Sequence, residues 1–154
     1  MNIFLAHKDL RIRDNPALYN ASLNGQYIVI YLFDQNYWSS NGYSLRQFTF
    51  VNDCLKELNH NLEKLKSKIH IYKGGISDLM AWIESHYPNS QIFINQSSDV
   101  MYFRKSMFQL KRYFHEQNRI NCYENFGIQT RDYNRESWSK CWAKIMNSSL
   151  TELP

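Results

Sequence analysis

Apolar residues along this chain fall into two alternating patterns. Short, nearly unbroken apolar runs occupy 2–6, 27–33, 69–72, 91–95 and 120–123. The clearest is Tyr27-Ile28-Val29-Ile30-Tyr31-Leu32-Phe33, β-branched and apolar throughout, as expected of a strand covered on both faces. Between these runs the apolar positions recur at three- and four-residue intervals. Phe48, Val51, Leu55, Leu58, Leu62 and Leu65 trace one helix face, predicting a long helix from Ser44 to about Lys68. Further helices are predicted from Pro16 to about Asn24-Gly25, from Ser77 to Tyr87, from Asp99 to Gln117, and from near Arg135 to about Asn147. Asp14 or Asn15 can cap the first helix, with Pro16 in the first turn, where a missing N–H is tolerated. The stretch Asp34 to Tyr43, polar and containing a glycine, reads as a loop, and Lys73-Gly74-Gly75 as a turn.

Strand and helix thus alternate five times. The fold class this predicts is α/β, a five-stranded parallel sheet, doubly wound and Rossmann-like, with right-handed crossovers and helices on both faces. Ligands in such sheets bind beyond the carboxyl ends of the strands, near the reversal of strand order. The loops to watch are therefore His7–Asn15, Asp34–Ser44, Lys73–Ser77 and Asn95–Tyr102. One domain over 1–147 is expected, with 148–154 the start of a linker or tail.

Composition changes this picture little. The 154 residues carry a formal charge of +4, spread thinly, with basic clusters at Arg104-Lys105, Lys111-Arg112 and along Arg131, Arg135, Lys140 and Lys144. Solvated helix faces account for these, and weak nucleic-acid affinity is permitted without being required. Aromatic residues reach 16%, enough to build stacking surfaces for a ring-shaped ligand or a thick aromatic core. Cys54, Cys122 and Cys141 are odd in number and lack metal-type spacing, which points to a reducing, cytoplasmic setting. No apolar run is long enough to span a bilayer, so no membrane contact is expected.

Candidate chemistry is sparse. Lys8, Arg11 and Arg13 stand beside a helix amino terminus, where cations, backbone N–H groups and the helix dipole would favour an anion; local pairing with Asp9 and Asp14 is an equal alternative. The glycine turn lacks a Walker-type Lys-Ser/Thr and reads as a plain strand-to-helix turn. His7 alone of the five histidines falls on a sheet-end loop, and none has ligand spacing, so no metal is expected. No nucleophile elbow or carboxylate pair suggests catalysis. Trp138, Cys141, Trp142, Ile145 and Met146 make an apolar stripe on the last helix, expected to lie back on the sheet or else to await a partner.

Several segments resemble one family in order. His7-Lys8-Asp9-Leu10-Arg11 followed by Asp14-Asn15-Pro16-Ala17-Leu18 is similar to the opening of DNA photolyases and cryptochromes. Leu32-Phe33-Asp34, the arginine-led helix start Ser44-Leu45-Arg46-Gln47-Phe48, Lys73-Gly74-Gly75 and Asp99-Val100-Met101-Tyr102-Phe103-Arg104 resemble later family segments. Asn125-Phe126-Gly127-Ile128-Gln129 with Arg135 to Trp142 resembles a bacterial photolyase-like subgroup. The resemblance implies the amino-terminal α/β domain of a blue-light-driven repair enzyme or photoreceptor, not catalytic by itself. It implies a folate or deazaflavin antenna held by Lys8, Arg11, Phe33, Asp34, Arg46 and Asp99 in one cleft. FAD is implied only with a separate helical domain or subunit, docked through the Trp138/Trp142 helix, with DNA contact weak or indirect. Departures occur where His7-Lys8 replaces paired arginines and where the loop Asn95-Gln96-Ser97-Ser98 lacks acidic residues. The alternative is a stand-alone nucleotide-binding or protein-docking α/β module without light chemistry.

Overall fold

The computed structural model describes residues 1–23, 25–97, 99–124 and 135–154. Five strands, β1 (Asn2–Ala6), β2 (Tyr27–Phe33), β3 (Ile69–Lys73), β4 (Gln91–Asn95) and β5 (Ile120–Tyr123), form one sheet. Every pairing is parallel, and the order is β3-β2-β1-β4-β5. The helices are α1 (Pro16–Leu23), α2 (Gln35–Ser40), α3 (Leu45–Lys64), α4 (Ile76–His86), α5 (Met101–His115) and α6 (Arg135–Met146). The expected doubly wound α/β fold is the fold observed.

Alternation along the strands divides the core in two. Ile3, Leu5, Ile30, Ile92 and Ile94 point to one face, where Leu79 and Ile83 of α4 and Leu110 and Phe114 of α5 cover them. Phe4, Ala6, Val29 and Phe93 point to the other, under Leu18 of α1 and Leu58 and Leu62 of α3. Central β1 is buried at every position because both faces are covered.

Three expectations need correction. Residues 34–43 are not all loop. Asp34 accepts from Asn36 N and Tyr37 N at 2.9 and 3.3 Å and starts α2, while buried Tyr37 anchors it; a helix this short leaves no periodicity to read. The long helix ends at Lys64, not near Lys68. Lys66 turns left-handed at φ 57°, and the N–H groups of Leu65, Lys66 and Ser67 fold back onto the carbonyls of Leu62 and Glu63. Lastly, the stripe of α6 does not lie on the sheet: none of its residues is buried, and Trp138 and Trp142 are 43% and 44% exposed. The proposed first-helix stop at Asn24, the Asn125–Gln129 segment, Arg131 and Ser98 lie outside the described residues.

Candidate functional site

Chain direction across the sheet reverses between β1 and β4, so the loops following those strands part and leave a crevice. The first of these loops is fixed by two side-chain amides, Asn95, half-buried, and Asn15, buried. Asn95, the last residue of β4, donates to Asp9 Oδ2 at 2.6 Å and to Asn15 Oδ1 at 2.7 Å, and accepts from Ala17 N at 3.1 Å. Asn15, fully buried, donates to the carbonyls of Asp9 and Arg11 and accepts from Leu18 N. All hydrogen-bonding capacity of Asn15 is thereby used, which makes it an economical clamp. Asn15, rather than Asp14, caps α1. The N–H groups of Ala17 and Leu18 at the start of α1 are thus already bonded to Asn95 and Asn15, so the helix terminus has fewer donors to offer an anion than its position suggests.

Beside the clamp lies an aromatic cluster. His7 stacks on Phe103 with ring centres 3.5 Å apart and meets Tyr37 edge-on at 5.7 Å. Tyr37 in turn packs against Trp38 at 5.9 Å and Tyr43 at 5.0 Å. Asp99, whose side chain is 1% exposed, binds this cluster together. It accepts from His7 Nε2, from Lys8 Nζ at 3.0 Å and from Tyr37 Oη at 3.1 Å. An ionised carboxylate can only accept, so the Tyr37 proton is committed to Asp99, and Tyr43 must donate to Tyr37 across their 2.6 Å contact. Burial raises the Asp99 pKa, but the bonds from His7, the Val100 N–H and Lys8 outweigh it and hold the carboxyl well below its usual range. Burial, the Tyr43 bond and the Asp99 charge push the Tyr37 phenol far up. Tyr31 is pushed up to about 12 by burial, against a smaller opposing effect of the nearby Trp38 indole.

Two spaces open here. A crevice of about 130 Å³ at the strand-order reversal is lined by Leu5, Asn95, Phe103 and Met107. A larger chamber of about 460 Å³ is walled by Tyr31, Tyr37, Trp38 and Tyr43, with Lys8 and Arg11 at its rim. Its volume suits a planar heterocycle. The Trp38 indole N–H is buried within this wall, next to the Tyr31 hydroxyl.

The six residues implied by the resemblance are therefore not all in one cleft. Lys8 and Arg11 line the chamber, and Asp99 stands buried behind its wall, bonded to Lys8 and Tyr37. Phe33 stands behind it, stacked on Trp38 at 6.3 Å. Asp34 caps α2, accepts from Tyr102 Oη at 2.8 Å and faces a separate crevice beside Lys73-Gly74-Gly75. Arg46 is exposed on the first turn of α3 and lines none of these spaces. The local pairing of the first-loop cations is partial: Arg11 approaches Asp14 at 3.8 Å, whereas Lys8 pairs with Asp99. Sequence reading missed Tyr31, Tyr37, Trp38, Tyr43, Asn15 as a clamp, and Asn95. The Tyr37-Trp38 pair in a loop after a strand end was the signal available for the chamber wall.

Among the described residues no cluster of three or more potential metal ligands occurs, all three cysteines are free, and no helix is long and apolar enough to cross a membrane.

A parallel sheet of this order, with helices on both faces and an aromatic chamber beyond its carboxyl ends, defines a doubly wound α/β domain. The DNA photolyase family profile matches residues 2–124, and the chain belongs to that family. Cryptochrome-1 of Mus musculus is 27% identical over 93 residues, covering 60% of this chain and 15% of the cryptochrome. Cryptochrome-2 of Gallus gallus is 31% identical over 74 residues, covering 47% of this chain and 12% of its own length. Among solved structures, an archaeal photolyase from Sulfolobus tokodaii, described with two FAD molecules and a novel light-harvesting cofactor, superimposes with a TM-score of 0.72 at 20% identity. That match covers 99% of this chain and 36% of the photolyase. The cryptochrome of Synechocystis sp. PCC6803 gives 0.70 at 15% identity, covering 82% and 27% respectively. The chain corresponds to the amino-terminal α/β domain of these proteins and spans about a sixth of the length of the cryptochromes it matches.

Proposed function

We propose that this chain serves as the chromophore-holding α/β domain of a photolyase- or cryptochrome-type protein, working in blue-light-driven DNA repair or light sensing without catalysing a reaction alone. The observation that carries this reading is the aromatic chamber walled by Tyr31, Tyr37, Trp38 and Tyr43, with Lys8 and Arg11 at its rim. Tyr37 and Tyr43 are held by the Asp99 network, so the walls are set before a ligand arrives, which lowers the ordering cost of binding. The ligand class is a folate, deazaflavin or flavin ring acting as an antenna. The Sulfolobus tokodaii photolyase, described with two FAD molecules and a novel light-harvesting cofactor, is a structural relative consistent with this ligand class. The three free cysteines fit a reducing, cytoplasmic setting.

The test is an absorption and fluorescence titration of the chain with a folate, a deazaflavin, FMN and FAD. Saturable binding of at least one is expected, weakened roughly tenfold by Trp38→Ala, which removes a stacking wall. Absence of saturable binding for all four would overturn the reading.

A second reading, a docking module, is favoured by one feature. Trp138 and Trp142 stack on each other at 6.4 Å on a helix with no buried residue. On this reading α6 carries a helical, FAD-bearing domain or subunit, and DNA contact through the α/β domain is weak or indirect. Sedimentation of the chain with such a partner, with and without Trp138→Ser and Trp142→Ser, tests it; a complex indifferent to both substitutions would refute it.

A further inference from the structure

The sheet ends on one side at β3, and part of that edge is open. Gly74 N–H, just past β3, donates to the Phe33 carbonyl at 3.2 Å, and the register pairs Phe33 with Lys73. Backbone groups alternate in direction along a strand. His70 and Tyr72 therefore share the inward sense of Gly74, while Ile69, Ile71 and Lys73 turn their N–H and C=O groups away from β2. The Ile69 N–H fits this phase, since it leaves the sheet to reach Asn59 Oδ1 of α3 at 3.2 Å. Asn59 thereby closes one end of the edge. The outward N–H groups of Ile71 and Lys73 have no such cap among the described residues.

The side chains of this edge point the same way. Ile71, in the middle of β3, is 51% exposed, and no other large apolar residue on the described strands is left so open. Between Leu65 and Gly75 the chain carries Lys66, Lys68 and Lys73, all exposed, and no carboxylate. Burial and the Lys68 charge hold the His70 pKa below its usual value, so that charge is felt at the strand itself. Lysines on an edge ordinarily keep it from pairing with further copies of the same strand. Two copies of β3 joined here would bring both sets of lysines into one seam. A strand of opposite charge is attracted by the same groups, so what repels a second copy selects an acidic partner.

We propose that the open edge of β3 is a docking site for an extended acidic segment of a partner protein, which adds to the sheet as a further strand. Its backbone bonds to the outward groups of Ile71 and Lys73, and an apolar side chain covers Ile71. Its carboxylates meet Lys66, Lys68 and Lys73. The aromatic chamber takes no part, so this inference stands or falls separately from the ring-binding reading.

Fluorescence anisotropy of the intact chain with a short labelled peptide of alternating glutamate and valine, and with its lysine–valine counterpart, provides the test. The acidic peptide is expected to bind about tenfold tighter at low salt, with the gap narrowing as salt is raised. Methylating alternate peptide nitrogens should abolish binding in one phase, where the methyl groups face β3, and spare it in the other. Ile71→Ser and Lys68→Gln should each weaken the acidic peptide severalfold. Both side chains are exposed, so these variants are expected to keep the circular dichroism spectrum of the parent. Failure of the acidic peptide to bind, equal binding of the two peptides, methylation that acts alike in both phases, or indifference to both substitutions would overturn the proposal. Sedimentation of the chain alone as a dimer that Ile71→Lys dissolves would also overturn it, by giving the edge to a second copy.

Discussion

At the scale of single residues, Asp99 is where sequence and structure part most instructively. Its position followed from the family-like segment, but its partners did not: His7 is 92 residues away and Tyr37 is 62, so no local spacing could announce them. The carboxylate has a depressed pKa in the folded chain, which gives its contribution a definite sign. Stability from Asp99 is fully present above the ordinary aspartate value of about 4 and is lost as pH falls below it toward the folded value. Asp99→Asn is expected to cost about 2 kcal/mol at pH 7, because Lys8 is half exposed and adds little, while His7 and Tyr37 lose a buried charged acceptor. Near pH 3 the difference between parent and variant should shrink. Urea unfolding at the two pH values checks both the magnitude and the sign; a gap that widens on acidification would refute the assignment.

The elements themselves were more legible. Five strands stood out because each is a short apolar run, and the longer helices because three-four spacing repeats over several turns. What escaped was α2, held by one cap and one buried tyrosine rather than by a periodic face. Asp34 and Arg46 were grouped together by resemblance, yet their elements give them different work. Asp34→Ala removes the cap of α2 and the acceptor of Tyr102, and should cost about 1–2 kcal/mol, seen as a fall of a few degrees in melting temperature. Arg46→Ala, on an exposed helix turn, should stay within about 0.5 kcal/mol of the parent. A matched scan of both by differential scanning calorimetry would expose any error in that division. The start of α3 was legible to the residue, since Ser44 and Gln47 form the reciprocal cap their spacing suggests.

Across the whole molecule, the topology decides which substitutions are tolerated. Phe4 is fully buried between the central strand and the helices of one face, so Phe4→Ala is expected to cost about 3–5 kcal/mol and bring the domain close to unfolding at ordinary temperatures. Trp138→Ser with Trp142→Ser, though larger in chemical change, should leave chemical-denaturation stability nearly unaltered, because α6 contributes no buried residue. The sheet order was beyond the reach of pattern, since any of several arrangements satisfies five covered parallel strands. That order also has a temporal side. β1 is central and pairs with β4, nearly ninety residues later, and the Asn95–Asn15 clamp can close only once β4 has docked. Non-local pairing of this kind slows folding. We therefore expect the clamp to close late in assembly, after the transition state. In stopped-flow experiments Asn95→Ala should speed unfolding while leaving the refolding rate nearly as it was. For a chain being synthesised, the first loop emerges early but can take the bonds from Asn95 that fix it only once β4 has followed.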